Sequence, residues 1–132
     1  MIDSLFADNA SRAAKAALDG LSLRQQAISR NIANVDTPGY QAQTVNFEDT
    51  LKSMLNNSGT LPLTNTHTAH LASPTQAAGF TLSNRPGGSF RADQNNVDID
   101  VEMSDMSEAG IQYEAVSQLV SKKLQLLKTL AR

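Results

Sequence analysis

Two histidines and a cluster of carboxylates are the residues of this 132-residue chain whose types and spacing invite chemistry. His67 and His70 form His-x-x-His within the stretch Thr-Asn-Thr-His-Thr-Ala-His-Leu-Ala-Ser. A metal site needs further ligands on rigid elements, and these neighbours offer neither. The pair therefore reads as loop histidines, with a metal-binding helical protein as the non-structural alternative. Asp98, Asp100 and Glu102 have the look of paired acid–base carboxylates. They also open a helical pattern, where capping and the helix dipole are sufficient reason for acidic residues. The run Arg85-Pro86-Gly87-Gly88-Ser89 lacks the Gly-Lys-Ser/Thr ending of a phosphate loop. No Gly-x-Ser-x-Gly elbow occurs, and with no cysteine there is no thiolate nucleophile or ligand. The residues point to no enzyme, no cofactor and no metal.

What remains is architecture. The formal net charge of −2 gives no general attraction to nucleic acid. No window approaches the roughly 18 apolar residues of a membrane span, so direct membrane insertion is not expected. The first residues lack a basic segment followed by an apolar one, which predicts export, if any, without a cleavable signal peptide. Aromatics are only 5% and tryptophan is absent. The large apolar residues gather in the first third and the last quarter, so the expected core is thin and carried by the two ends.

Between about Asp3 and Val35, Leu18, Leu21, Ile28, Ile32 and Val35 fall in steps of three and four, with Gln25 the one polar member of the series, extended backwards by Ala14, Ser11 and Ala7. That is a coiled-coil-like helical stripe. Gly20 interrupts it at a cost of about 1 kcal/mol relative to alanine, as a close-packing point, a slight bend or an accident. From about Asp98 to Leu130 a second stripe runs through Met103, Met106, Gly110, Tyr113, Val116, Val120, Leu124, Leu127 and Ala131. Its acids stand at the start and Lys122, Lys123, Lys128 and Arg132 at the finish, as the helix dipole favours. The fold class expected is mainly α: the two end helices pack as an antiparallel, coiled-coil-like hairpin. Residues 1–40 and 98–132 then form a discontinuous helical core domain. Residues 41–97 connect them, partly ordered only on assembly, with a short helix near Asn46–Leu55 and short β pieces at Leu61/Leu63 and Phe80/Leu82.

The sharpest local signal is Asp36-Thr37-Pro38-Gly39-Tyr40. Pro38 and Gly39 suit the two central positions of a type II turn, and Thr37 before proline is pushed out of the helical region. Asp36 and Thr37 are candidate caps for the freed backbone groups. The turn is expected to lead the chain out of the bundle, toward a neighbouring molecule.

The longer string around that turn, Ile-Ser-Arg-Asn31-Ile32-Ala33-Asn34-Val-Asp36-Thr37-Pro38-Gly39-Tyr40, resembles the signature that closes the first helix of the bacterial flagellar axial proteins, the rod and hook family. Tyr40 to Leu51 and the Asn-x-Val-Asp-x-Asp-x-Glu-Met opening at Asn95–Met103 are similar to the proximal rod members of that family. The resemblance covers both ends of the chain, and the short length sets it apart from relatives with large inserted domains. It implies a structural subunit that self-associates in a helical rod. The implied partners are other rod proteins, a rod-to-ring adapter, a membrane ring protein and the flagellar export apparatus. It implies a place in the periplasm-spanning rod of the basal body, with torque transmission as the task. The sister proximal rod protein and the rod-to-ring adapter are the alternatives. Asn31 to Asn34 and Asp36 to Tyr40 become the assembly and turn motif, and the two stripes become helix-packing surfaces.

Overall fold

The computed structural model describes residues 9–56 and 79–130. The expectations that concern His67, His70, Leu61, Leu63, Ala7 and Ala131 lie outside those residues. Helix α1 spans Asn9–Ala33, strand β1 Gln43–Val45, helix α2 Phe47–Asn56, strand β2 Leu82–Asn84 and helix α3 Ile99–Leu130. The 32 residues of α3 make a rod about 48 Å long.

The long helices run antiparallel. Asn31, near the end of α1, donates from Nδ2 to Oε2 of Glu102 in the first turn of α3 at 3.1 Å. At the other end Lys123 Nζ donates to Ser11 Oγ at 2.8 Å. Asp98 caps α3, its Oδ1 accepting from the amides of Asp100 at 3.0 Å and Val101 at 3.4 Å.

Along α1 the buried positions are Ala17, Gly20, Leu21, Ala27, Ile28 and Asn31, while Leu18 and Ile32, and Val35 just beyond the helix, are half-buried. The seam on α3 is displaced from the expected one. Glu102 and Ala109 are its buried members, continued by half-buried Met106, Val116, Val120 and Leu127. Met103, Tyr113 and Leu124 are 54%, 39% and 51% exposed. Two things turn the helix this way: Glu102 is drawn inward by polar partners, and the small Ala109 lets the helices approach closely.

The two ends do not carry the core alone. Ala42, Val45, Phe47 and Val97, all from the connecting region, are buried. β1 and β2 pair antiparallel with Gln43 opposite Asn84, Thr44 opposite Ser83 and Val45 opposite Leu82. This small sheet and α2 lie against α1, so that Ala17, Leu21, Ala27, Val45 and Phe47 form one cluster, lined further by Leu23, Leu51, Phe80, Leu82 and Val116. Hydrophobic spacing identified α2 and the Phe80/Leu82 piece, but β1 carries no alternating pattern and was not expected.

Gly20 is where the sheet side presses on α1. Phe47 and Phe80 stack with ring centroids 5.7 Å apart. The Arg24 guanidinium sits 5.3 Å over the Phe47 ring while its Nη2 donates to both Glu48 oxygens at 2.9 and 3.0 Å. A Cβ on Gly20 would come within 2.6 Å of Phe80 and 2.7 Å of Phe47. Of the readings open at Gly20, close packing is the one the rings support. In open space Gly20→Ala would stabilise by about 1 kcal/mol through helix propensity. Here both rings must shift, and overpacking of this kind costs about 1–3 kcal/mol. Thermal denaturation of Gly20→Ala is therefore expected to show a lowered midpoint; a raised one would show that the rings yield freely.

Candidate functional site

The last carbonyls of a helix have no partner within it and must be satisfied from outside. At the end of α1 the nearest help is local. Asn34 Nδ2 donates to the Arg30 carbonyl at 2.8 Å, and the Thr37 amide donates to the Asn34 carbonyl at 3.0 Å. Thr37 Oγ1 in turn donates to Asn34 Oδ1 at 3.2 Å. The turn then closes with the Tyr40 amide on the Thr37 carbonyl at 3.3 Å and Gly39 at φ +74°. Those are the marks of the type II turn that Pro38 and Gly39 were suited to.

A residue some sixty positions away gives the Asn34 and Thr37 carbonyls a second donor and reaches that of Val35 as well. Asn95 Nδ2 lies 2.9 Å from the Asn34 carbonyl, 3.0 Å from that of Val35 and 2.9 Å from that of Thr37. Its Oδ1 accepts from the Val97 amide at 2.7 Å, and the side chain is fully buried. Around it the Gly39 amide donates to the Asp93 carbonyl at 2.8 Å, and Arg91 Nη1 donates to the Val35 carbonyl at 3.2 Å. Residues 91–97, immediately ahead of α3, thus clasp the end of α1. Asp36 does not cap: its side chain is 95% exposed and only approaches Arg91, at 4.0 Å. A carboxylate there would meet carbonyl oxygens, so an amide donor takes the place.

The turn does not lead the chain out of the bundle either. It lays the chain back along α1, and Asn31 receives it. Asn31 Oδ1 accepts from the Gln43 amide at 2.9 Å while Nδ2 donates to the Gln43 carbonyl at 2.8 Å. The carboxamide thereby pairs with β1 as a neighbouring strand would. Asn31 Oδ1 also accepts from the Tyr40 hydroxyl at 3.2 Å, and Ala42 is pinned by its amide to Asn96 Oδ1 at 2.7 Å.

Behind Asn31 stands Glu102, with no exposed surface. Its Oε2 accepts from Asn31. Oε1 has no hydrogen-bond donor, although Arg85 Nη1 stands 2.9 Å away as an ion pair, out of line for a hydrogen bond. Arg85 Nη2 also reaches Asp105 Oδ2 at 3.1 Å. A polar cleft of about 160 Å³ opens beside this cluster, between Arg24, Gln43, Glu48, Arg85 and Glu108. Burial pushes the Glu102 pKa up, opposed by the Asn31 hydrogen bond and the Arg85 charge and aided by Asp105. The Tyr40 hydroxyl is likewise pushed up, by burial first; the Arg30 charge opposes this and the Glu102 charge adds to it.

A raised carboxyl pKa means that the folded state binds the proton more tightly than the unfolded chain. This group's contribution to stability is full below the ordinary value of 4.5 and is lost as pH climbs through the raised folded value. Glu102→Gln keeps an acceptor for Asn31 and buries no charge. Urea denaturation at several pH values should show the variant gaining on the wild type as pH rises above about 4.5; a constant difference would show that Glu102 does not titrate differently on folding.

This cluster gathers the expected motif residues Asn31, Asn34, Thr37, Gly39 and Tyr40 around one helix end. Ile32 and Ala33 lie on α1 without a hydrogen-bonding part in it, and Pro38 and Asp36 are exposed. Asn95, Arg85 and Arg91 were not expected here. Glu102, read as an acid that serves capping and the helix dipole, is its buried charge. Its chemistry is that of a latch: backbone groups exchanged between distant segments, with nothing arranged to attack or protonate a substrate. Among the described residues no group of three or more His, Cys, Asp or Glu could hold a metal.

The comparisons with known proteins bear on this latch directly. A family model described as "Flagella basal body rod protein" matches residues 9–41, which are α1 and the turn together. The chain is 31% identical over 113 residues to the flagellar basal body rod protein FlgB of Bacillus subtilis, covering 86% of this chain and 85% of that one. It is 33% identical over 115 residues to FlgB of Aeromonas hydrophila, covering 86% of both, and 33% identical over 123 residues to FlgB of Escherichia coli K12, covering 86% and 85%. The chain belongs to the FlgB family of flagellar basal body rod proteins. The FlgB family is one of structural rod proteins of the basal body, and the helical architecture here agrees with that role. Among the described residues of the chain no helix is long and apolar enough to cross a membrane.

Proposed function

We propose that this chain is a subunit of the proximal rod, packing with copies of itself and with other rod proteins into a tube. In that role it joins the rod-to-ring adapter and membrane ring protein below to the rest of the rod above, and carries torque between them. It reaches the periplasm-spanning rod through the flagellar export apparatus and performs no catalysis. Belonging to the FlgB family supports the placement, and one observation carries the mechanical reading: α3 keeps a large apolar surface that its own fold leaves uncovered. Ile111, Leu119, Leu126 and Leu130 are 70%, 61%, 63% and 81% exposed. Exposed apolar surface of this extent on one element marks an interaction site, and a rod of side-by-side helices would cover it.

The test is Ile111→Asp with Leu126→Asp, both on exposed positions. Circular dichroism should show the helix content of the monomer unchanged, because neither side chain is part of the core. Motility and the recovery of intact rods should be lost. Normal motility in the double variant would overturn the reading.

A further inference from the structure

Two lines of residues run side by side along α3. Glu102, Ala109, Val116 and Lys123, seven apart, face α1: Glu102 and Lys123 bond to Asn31 and Ser11, Ala109 is buried and Val116 packs on the core cluster. Beside them lies the stripe that starts at Ile99 and returns in steps of four and three through Met103, Met106 and Gly110 as far as Leu124. The fold covers this stripe from one side only, and Ile99, Met103, Tyr113 and Leu124 stay exposed along it. Gly110 stands on it in mid-helix, at a cost of about 1 kcal/mol relative to alanine. Gly20 is explained by two rings, but among the described residues nothing lies within 4 Å of where a Gly110 Cβ would be. A glycine on an open seven-residue stripe lets a helix from outside approach closely.

We infer that in the free protein a second copy of this chain covers the stripe, α3 against α3, antiparallel about a two-fold axis near Tyr113. The first support is shape. At the far end of the stripe an apolar groove of about 270 Å³ opens between the end of α3 and the start of α1, and Val120, Lys123, Leu124 and Leu127 line it. These four have the spacing of the residues that form the hole for one knob in a coiled coil. In the antiparallel pair that knob is Met103 of the second copy. The Tyr113 ring of each copy then falls beside Gly110 of the other, where there is open space to receive it.

The second support is charge. Asp100, Ser107, Glu114, Ser121 and Lys128, again seven apart, form an exposed line that flanks the stripe on the side away from α1. Charges in that position set the choice and orientation of a partner helix. A parallel pair in register would set Asp100, Glu114 and Lys128 each beside its own like. The antiparallel pair sets Asp100 of each copy beside Lys128 of the other, and only Glu114, near the axis, meets its own copy. Such a contact uses the same patch on both molecules and closes on itself. It does not rest on the rod reading, because Ile111 and Leu126 lie off this stripe.

The chain has no cysteine, so disulfides can be placed at will. Met103→Cys and Leu124→Cys, both at exposed positions, are made in separate full-length chains whose helix content is verified by circular dichroism. They are oxidised singly and mixed. Along one helix the two positions lie about 31 Å apart, too far for a bond within a chain. The mixture should form covalent dimers about tenfold or more faster than either variant alone, because paired molecules react at a raised effective concentration. A chain carrying both cysteines should stop at the dimer. Lys128→Asp on the Leu124→Cys chain should slow the mixed reaction, and Asp100→Lys on the Met103→Cys chain should restore its rate. Faster dimerisation of Met103→Cys alone would mean a parallel pair, and a ladder of larger species from the double variant would mean a head-to-tail array. Either overturns the proposal, as would a charge swap that restores nothing. Equal rates in all samples would show that no copy covers the stripe, and overturn it too.

Discussion

Replacing Asn31 by aspartate is expected to cost about 3–5 kcal/mol at neutral pH, the scale of a buried charge stripped of its partner. Few single substitutions of equal size cost as much. The side chain keeps its shape, but Nδ2 becomes an oxygen. That oxygen would face Glu102 Oε2, which now accepts at 3.1 Å, and the Gln43 carbonyl, which now accepts at 2.8 Å. Two carboxylates would share one buried site with Arg85 as the nearest cation. Such a pair relieves itself by holding a proton between its members. The loss should therefore shrink in mild acid, where a proton is available. Urea denaturation of wild type and Asn31→Asp at pH 7 and at pH 5 checks both parts. A loss below about 1 kcal/mol at pH 7, within the range of an ordinary surface change, would mean that the latch contributes little.

Asn95→Ala is the second large effect. It withdraws the donor shared by the Asn34, Val35 and Thr37 carbonyls and the acceptor of the Val97 amide. Each buried group left unsatisfied costs about 1–3 kcal/mol. A total of about 1–3 kcal/mol follows, since the Asn34, Val35 and Thr37 carbonyls keep the Thr37 amide, Arg91 Nη1 and the Tyr40 amide, and the Val97 amide is the group left without a partner. The opening should be local. Hydrogen exchange at Gly39, whose amide is held by the Asp93 carbonyl, and at Val97 should accelerate by a larger factor than at Leu21 in the α1 core. Equal acceleration at all three would show that the clasp and the core unfold as one unit. Because the clasp joins the end of α1 to the approach of α3, losing it frees the angle between the long helices. Rod assembly should suffer even where the monomer still folds.

The two long helices were legible because an apolar stripe at steps of three and four needs no knowledge of distant partners. Their contact face was less so. A periodicity reading assigns Met103 and Tyr113 inward because they are large and apolar, and Glu102 outward because it is charged. Burial reverses that order: Glu102 meets Asn31 and Arg85, which are 71 and 17 positions away and whose meeting no local window contains. The same limit hid the roles in the turn. Pro38 and Gly39 declare their geometry within four residues. Asn31 stood out only through resemblance, as one letter of a motif, and its pairing with Gln43 depends on the turn laying β1 beside it. Asn95 lay in a quoted motif too, read there as part of a helix opening. Two asparagines just ahead of the capping Asp98 were the available signal, since such residues seek backbone partners. Gly20 was visible as an anomaly, but its reason lies in rings from two other segments.

The Asn31 carboxamide has one more consequence. A two-stranded ribbon of three-residue strands has an open flank, and an open flank can template further strands from other chains. On the β1 flank the Gln43 amide and carbonyl are both occupied by Asn31. At Gln43 a strand from another molecule finds neither backbone group free to zip onto. In the proposed rod, where copies of the chain would pack side by side, this narrows one route to fibrillar aggregation. Under that proposal growth is left to the long sides of the helices, and an ordered tube would compete with one disordered alternative fewer.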